Sequence, residues 1–125
     1  MKKHSVCVLL LLSLLVAACQ KPEEAVPPAR LIPREELVRL LIELHTLEAR
    51  VDAAALPPDS GLALFRQEQL KLYRRLNATD STFQQSYRYY AIHDKDLDEI
   101  YATVIDSLAL RESRRQTAGS PPPHR

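Results

Sequence analysis

His45 and Glu48 place an imidazole and a carboxylate at a spacing that could support chemistry. Residues three positions apart are neighbours on one face of a helix, so these two side chains can reach each other. Such a pair could chelate a metal ion. A metal site needs more ligands, and the other downstream histidines are His93, at a predicted helix boundary, and His124, near the end of the chain. We therefore expect no metal site.

Two interpretations of the pair remain open. In the first, both side chains belong to a buried polar network, and the further members are Ser86, Tyr87 and Tyr90. Buried carboxylates are rarely left unpaired, because an uncompensated charge is costly, and this favours the network. In the second, His45 and Glu48 form a small-ligand-binding or hydrolytic site. A closed network around Glu48 would support the first interpretation, and an open cleft reaching it would support the second.

The segment that carries the pair is predicted to be the central helix of the fold. Its apolar residues fill more than half of the helical circumference, so several neighbours are needed to cover them. Glu48 lies near the middle of this arc, which predicts that it is buried. The arc contains Leu37, Val38, Leu40, Leu41, Ile42, Leu44, Leu47, Ala49 and Val51.

The rest of the chain predicts an all-α fold, a compact bundle of three to four helices between residues 33 and 115. Pro57 and Pro58 end the first helix, and Asp59 or Ser60 is expected to cap the second. Thr79 or Asp80 is expected to cap the third. The inner faces are predicted to hold Leu62, Phe65, Leu72, Tyr73 and Leu76, then Phe83, Ser86, Tyr87 and Tyr90, and finally Leu97, Ile100, Tyr101, Val104, Ile105 and Leu108.

Two further expectations complete the predicted domain. Tyr89 is expected to point outward, where it could contact a partner. The stretch 116–125 is rich in proline and small polar residues, so it is expected to be a disordered tail.

The first 18 residues have the composition of an export signal. Lys2 and Lys3 precede an apolar run at residues 6–17, which is shorter than the roughly 20 residues of a membrane-spanning helix. Two alanines and Cys19 follow, and this pattern resembles the lipobox of bacterial lipoproteins. We expect residues 1–18 to be a lipoprotein signal peptide and the Cys19 thiol to receive a diacylglycerol.

Residues 19–32 are expected to be a lipidated cysteine followed by a flexible, proline-containing tether. Gln20 is not the aspartate that retains many lipoproteins in the inner membrane, so we expect the outer membrane of the cell envelope. Lys21, Glu23 and Glu24 resemble a lysine-plus-acidic export signal for the cell surface. A solvated linker on the periplasmic side is the alternative, and the sequence leaves the two open.

The helical segments also resemble a known family. The similarity rests on Leu44-His45-Thr46-Leu47-Glu48-Ala49, on the Phe83-x-x-Ser86-x-x-Tyr89-Tyr90 pattern and on the last apolar stripe. These are similar to the domain of unknown function catalogued as number 4296, found in short lipoproteins of the Bacteroidota. The resemblance implies an all-helical lipoprotein domain and no assigned activity.

Composition excludes several functions. The 17 basic and 16 acidic residues are nearly balanced, so no strong field favours nucleic acid. The two glycines, Gly61 and Gly119, do not form a phosphate-binding loop, so we expect no nucleotide. No nucleophile motif occurs, and we expect no catalytic residue, no enzyme activity and no cofactor beyond the acyl lipid on Cys19. The predicted function is a non-catalytic helical interaction or structural module. Its expected partners are the membrane, through the lipid, and another envelope protein.

Overall fold

A computed structural model describes residues 26–92 and 96–119, which form four α-helices. We label them α1 (Arg34–Ala53), α2 (Pro58–Arg75), α3 (Asp80–Ile92) and α4 (Asp96–Gly119). The described residues contain no β-strand, so the predicted all-α bundle is confirmed. In these two stretches no helix is long and apolar enough to cross a membrane.

Helix α1 is the centre of the bundle, as its broad apolar arc predicts. It packs against each of the other three helices. Helix α2 returns antiparallel beside α1, and Glu48 and Phe65 face the same hollow. Helix α4 runs parallel to α1. Arg34 at the start of α1 pairs with Glu99 near the start of α4, and Glu43 pairs with Arg111 further along both helices. The buried residues that α1 contributes are Leu37, Leu40, Leu41, Ile42 and Leu47.

The turn between α1 and α2 is made without a side-chain cap. Ala55 has a φ of 48°, in the left-handed region that usually favours glycine. Helix α2 then begins at Pro58, where the missing N–H of proline leaves no donor unpaired. The predicted cap at Asp59 or Ser60 is therefore wrong, because both residues already lie inside the helix.

Helix α3 begins with the cap expected at Thr79. The Thr82 N–H donates to Thr79 Oγ1 at 3.1 Å, and the Thr79 N–H donates to Thr82 Oγ1 at 2.9 Å. Such reciprocal bonds satisfy the otherwise unpaired donors of a helix start. Along the inner face of α3, the Phe83 ring lies 5.9 Å from those of both Tyr73 and Tyr87. The break expected at His93 falls outside the described residues.

Helix α4 differs from its prediction in two ways. Ile100 and Val104 are buried against α1, but Ile105 is 62% exposed. The apolar stripe of α4 is thus wider than the surface that α1 and α3 cover. The helix also continues to Gly119, so residues 116–119 of the predicted tail are helical.

The predicted tether ends earlier than expected. Ile32 is 8% exposed and belongs to the core, and Leu31 packs against that core. Both residues are apolar and both main-chain polar groups of Ile32 are hydrogen-bonded, so they are part of the packed domain. The tether prediction for residues 19–32 is therefore wrong for these two positions.

Candidate functional site

An open groove runs along the second half of α1, between that helix and α2. It consists of two adjoining hollows of about 310 Å³ and about 420 Å³, which share Glu48 and Phe65. We call the first the inner hollow, because it lies at the centre of the bundle where all four helices contribute. We call the second the outer hollow, because it lies at the α1–α2 turn. Together they are the candidate functional site.

The inner hollow is lined by aromatic rings and amides as well as by His45. Helix α2 contributes Phe65 and Gln69, and α3 contributes Gln84. Gln69 Nε2 donates to the Tyr73 hydroxyl at 3.2 Å, so this amide is oriented by its own helix. The remaining lining residues are Leu41, Leu44, Glu48, Phe83, Tyr87 and Tyr101.

Two tyrosine hydroxyls meet inside the inner hollow. The hydroxyl oxygens of Tyr87 and Tyr101 are 3.3 Å apart and share a hydrogen bond. The pKa of Tyr101 is raised to about 12, chiefly by burial, and the hydrogen bond to Tyr87 and the nearby charge of Tyr87 contribute to the same rise. The Tyr101 ring also lies 6.3 Å from the His45 ring, centroid to centroid. The hollow therefore presents two tyrosine hydroxyl groups beside an imidazole.

The outer hollow is mostly apolar. Leu62 is 50% exposed and Leu56 is 42% exposed, so each leaves a large apolar side chain in solvent. Gly61 also lines it, where an added Cβ would make an ordinary van der Waals contact with Val51 Cγ1 at 3.7 Å. The lining residues are Glu48, Val51, Asp52, Ala55, Leu56, Pro58, Gly61, Leu62 and Phe65.

The predicted burial of Glu48 is wrong. The side chains of His45 and Glu48 are 40% and 63% exposed, and His45 Nδ1 lies 3.5 Å from Glu48 Oε2. Glu48 therefore lies at the rim of both hollows with its carboxylate in solvent. The helical spacing correctly places the two residues side by side. The apolar arc of α1, however, is wider than the surface that its neighbours cover.

The predicted network is consequently divided between two places. Ser86 and Tyr90 are buried, but they hydrogen-bond the main chain of Ile32 rather than Glu48. Tyr87 lines the inner hollow with His45 and Glu48. The single five-residue network predicted from the sequence is thus wrong.

Tyr89 also departs from its prediction. Its ring packs edge-on against that of Tyr90, with centroids 5.4 Å apart. The residue is half-buried against the core. The outward position expected for Tyr89 is therefore wrong, because the apolar face of α3 is broad enough to include it.

The formal charges that line the groove are acidic. Glu48 and Asp52 lie four residues apart on α1, and no lysine or arginine is among the described residues that line either hollow. Basic residues gather instead in a third hollow of about 390 Å³ between α1 and α4, which includes Arg50, Arg111 and Arg115. The arginines that line the third hollow thus lie away from the acidic groove.

Sequence reasoning assigned most members of the groove to no candidate site, and Asp52, Leu56 and Gln84 are examples. Asp52 had a usable signal, because it follows Glu48 at i+4 and must share its face. Leu56 and Gln84 had no such signal in the sequence. Leu56 lies in a turn and Gln84 is an outward-facing amide, and each becomes a lining residue only through the packing of other helices.

Other predicted sites lie partly or wholly beyond what the structure describes. Cys19, Lys21, Glu23 and Glu24 fall outside the described residues. Within residues 26–92 and 96–119, no group of three or more histidine, cysteine or acidic side chains is arranged to hold a metal ion.

Comparison with known proteins identifies the family. No curated protein and no solved structure gives a significant match to this chain. A family model described as "Domain of unknown function (DUF4296)" matches residues 28–114, a range that includes α1, α2, α3 and most of α4. Because that match covers well over half of the 125 residues, the chain belongs to the DUF4296 family.

Proposed function

We propose that this protein is a lipoprotein anchored in the outer membrane through Cys19, with a non-catalytic helical domain that binds another envelope protein. The observation that carries the anchor is the order of features at the start of the chain. Two lysines, an apolar run and two alanines lead directly to Cys19. Several acyl chains would make attachment effectively permanent, because each buried methylene contributes about 0.8 kcal/mol.

The groove supports a binding role for the domain. Leu56 and Leu62 remain about half exposed beside a hollow, and exposed apolar side chains grouped in this way are typical of interaction surfaces. A catalytic role has less support. The 3.5 Å between His45 Nδ1 and Glu48 Oε2 exceeds the usual hydrogen-bond distance, and the Glu48 side chain is largely solvated.

The anchor is tested by labelling cells with a fatty-acid analogue. The native protein should be labelled and should fractionate with the outer membrane. Cys19→Ala should lose the label and the cleavage that follows acylation. Equal labelling of the two proteins would overturn the anchor, as would recovery of the native protein in the soluble fraction.

The side of the membrane on which the domain lies is tested separately. We propose that Lys21, Glu23 and Glu24 direct the domain to the cell surface, where added protease should degrade it on intact cells. Changing all three residues to alanine should protect the protein while leaving it in the outer membrane. If protease spares the native protein on intact cells but degrades it after lysis, the domain faces the periplasm.

A second candidate function is the binding of a small ligand around His45 and Glu48. The observation that favours it is the open inner hollow, which reaches both residues. Native mass spectrometry of the protein purified from its own envelope should then reveal a bound small molecule. His45→Ala should lose that mass, whereas the exposed Thr103→Ala on α4 should retain it. A native protein whose mass is accounted for by its chain and the acyl groups on Cys19 would exclude this candidate.

A further inference from the structure

We propose that the groove along α1 binds a basic amphipathic segment of a partner protein, in which arginine or lysine side chains alternate with apolar ones. The inference rests on the proposed binding role and adds the chemistry of the partner. The proposal combines three observations on the groove: exposed apolar side chains, two carboxylates with no lysine or arginine in the described lining, and aromatic side chains.

The apolar observation concerns the outer hollow. Leu62 and Leu56 are 50% and 42% exposed, and Phe65 forms the boundary with the inner hollow. Burying these side chains against apolar groups of a partner would remove their surface from water, which is the main driving force of association. A freely diffusing inorganic cation would leave this surface exposed.

The electrostatic observation concerns Glu48 and Asp52. Both carboxylates face the outer hollow, and the described lining of the groove contains neither lysine nor arginine. Among residues 26–92 and 96–119, Glu48 pairs with His45 at 3.5 Å, and an imidazole carries charge only when protonated. A basic side chain from a partner would therefore meet two carboxylates without competition from a basic side chain of the groove itself.

The aromatic side chains of the groove also favour a basic partner. Phe65 and Tyr101 line the inner hollow on either side of His45 and Glu48. The faces of such rings attract guanidinium and ammonium groups, and most strongly where water is excluded. A basic side chain reaching past Glu48 would therefore have both a carboxylate and an aromatic face to contact.

The length of the groove fits a segment of a protein. It extends along α1 from Leu41 in the inner hollow to Asp52 in the outer one. At about 1.5 Å per residue, this distance is roughly 17 Å, which equals about three turns of a docked helix. Amphipathic helices are commonly bound in grooves of this kind between helices.

A second copy of the chain is a poorer occupant. Two of the three arginines that line the α1–α4 hollow already have acidic partners within the chain. Arg111 Nη2 lies 3.0 Å from Glu43 Oε1, and Arg115 Nη1 lies 4.0 Å from Glu112 Oε2. Docking those groups into the groove of another copy would break existing ion pairs, whereas a separate basic segment would break none.

The test measures the binding of two labelled peptides by fluorescence anisotropy. The first is about 14 residues long, with leucine on one helical face and arginine on the other. The second has glutamate in place of every arginine. The protein is the chain from residue 19 onward with Cys19→Ser, so the result does not depend on acylation. The arginine peptide should bind at least about tenfold more tightly than its glutamate twin.

The charge contribution is isolated by matched double variants. Glu48→Gln with Asp52→Asn should weaken binding of the arginine peptide about tenfold. Asp98→Asn with Asp106→Asn makes the same change in net charge at exposed positions on α4, and should change affinity by less than about twofold. Equal effects of the two double variants would show that only net charge matters and would overturn the proposal.

The apolar contribution to binding is isolated by comparing substitutions at two leucines of α2. Leu62 and Leu70 are 50% and 53% exposed, but only Leu62 is among the residues lining the groove. Leu62→Ser should weaken binding several-fold, and Leu70→Ser should leave it unchanged. Similar affinities for these two variants would overturn the proposal.

Sedimentation of the same samples tests the other occupant. The native protein could be dimeric at the concentrations used while the Leu62→Ser variant is monomeric. That result would assign the groove to a second copy and overturn the proposal. A monomeric protein with the expected peptide affinities would support it. Failure of the peptide test leaves the acylation of Cys19 untouched, so the two proposals fail separately.

Discussion

The Tyr90 hydroxyl donates a hydrogen bond of 3.0 Å to the carbonyl oxygen of Ile32, 58 residues away in the sequence. The Ile32 N–H in turn donates to Ser86 Oγ at 2.9 Å. Two side chains from successive turns of α3 thus satisfy both main-chain polar groups of one buried residue. They hold the segment before α1 against the core, where Ser86 is fully buried.

Ser86→Ala should destabilise the protein by about 1–3 kcal/mol, because it leaves a buried N–H without an acceptor. Tyr90→Phe should cost about 0.5–2 kcal/mol, since it removes only the donor to the Ile32 carbonyl. Both free energies can be measured by urea denaturation of the chain from residue 19 onward. Ser113→Ala removes a hydroxyl bonded to the Leu110 carbonyl on exposed α4, and it should change stability by less than about 0.5 kcal/mol. Equal midpoints for Ser86→Ala and Ser113→Ala would contradict this account of Ile32.

Glu43→Ala should cost more than Glu48→Ala, although Glu43 lies outside the apolar arc. Glu43 is 30% exposed and approaches two arginines, Arg111 at 3.0 Å and Arg75 at 4.0 Å, which join α1 to α4 and α2. Partly exposed pairs of this kind contribute about 0.2–1 kcal/mol each. Glu48→Ala should change stability by less than about 0.5 kcal/mol, because its side chain is 63% exposed. Urea midpoints in the opposite order would show that Glu48 is part of the core.

Ala55→Gly should stabilise the protein by about 0.5–1 kcal/mol. Ala55 has a φ of 48°, and an L-residue with a Cβ pays roughly 1–2 kcal/mol there that glycine does not. Part of this stabilisation is lost, because glycine gives the unfolded protein more conformational freedom. Ala53→Gly, two residues earlier and still helical, should instead destabilise by about 1 kcal/mol. Thermal or urea unfolding that gives the two variants the same sign would contradict the left-handed assignment.

Stability should fall in alkaline solution through Tyr101, whose pKa is raised to about 12 chiefly by burial. The unfolded chain releases this proton near its ordinary pKa of about 10, so the contribution is complete below that pH and is lost as the pH rises toward 12. Burial is also the main cause that raises the pKa of Tyr73 and of Tyr90. Titration of phenolate absorbance in the native protein and in Tyr101→Phe should therefore differ by one group that ionises near pH 12. A difference centred near the ordinary pKa would show that the inner hollow leaves Tyr101 solvated.

The sequence alone determined the fold class and the central place of α1. The apolar residues from Leu37 to Val51 are too widely spread around one helix to be covered by a single neighbour. Helix α1 stops before Pro57 and Pro58, as local chemistry requires, and Thr79 caps α3 through local hydrogen bonds. These features depend on residues close together in the chain. The family likeness was visible in the same local patterns and is confirmed by the match over residues 28–114.

Only the tertiary structure decided which parts of each apolar face are covered. Helical periodicity assigns a direction around one axis, but it does not say where neighbouring helices lie or how far along the axis they reach. For this reason Glu48 and Ile105, which share directions with buried residues, are exposed. Ile32 is buried for the converse reason, because Ser86 and Tyr90 arrive from a distant helix. The groove is likewise a product of packing, since its residues come from all four helices and meet only when α2, α3 and α4 have docked on α1.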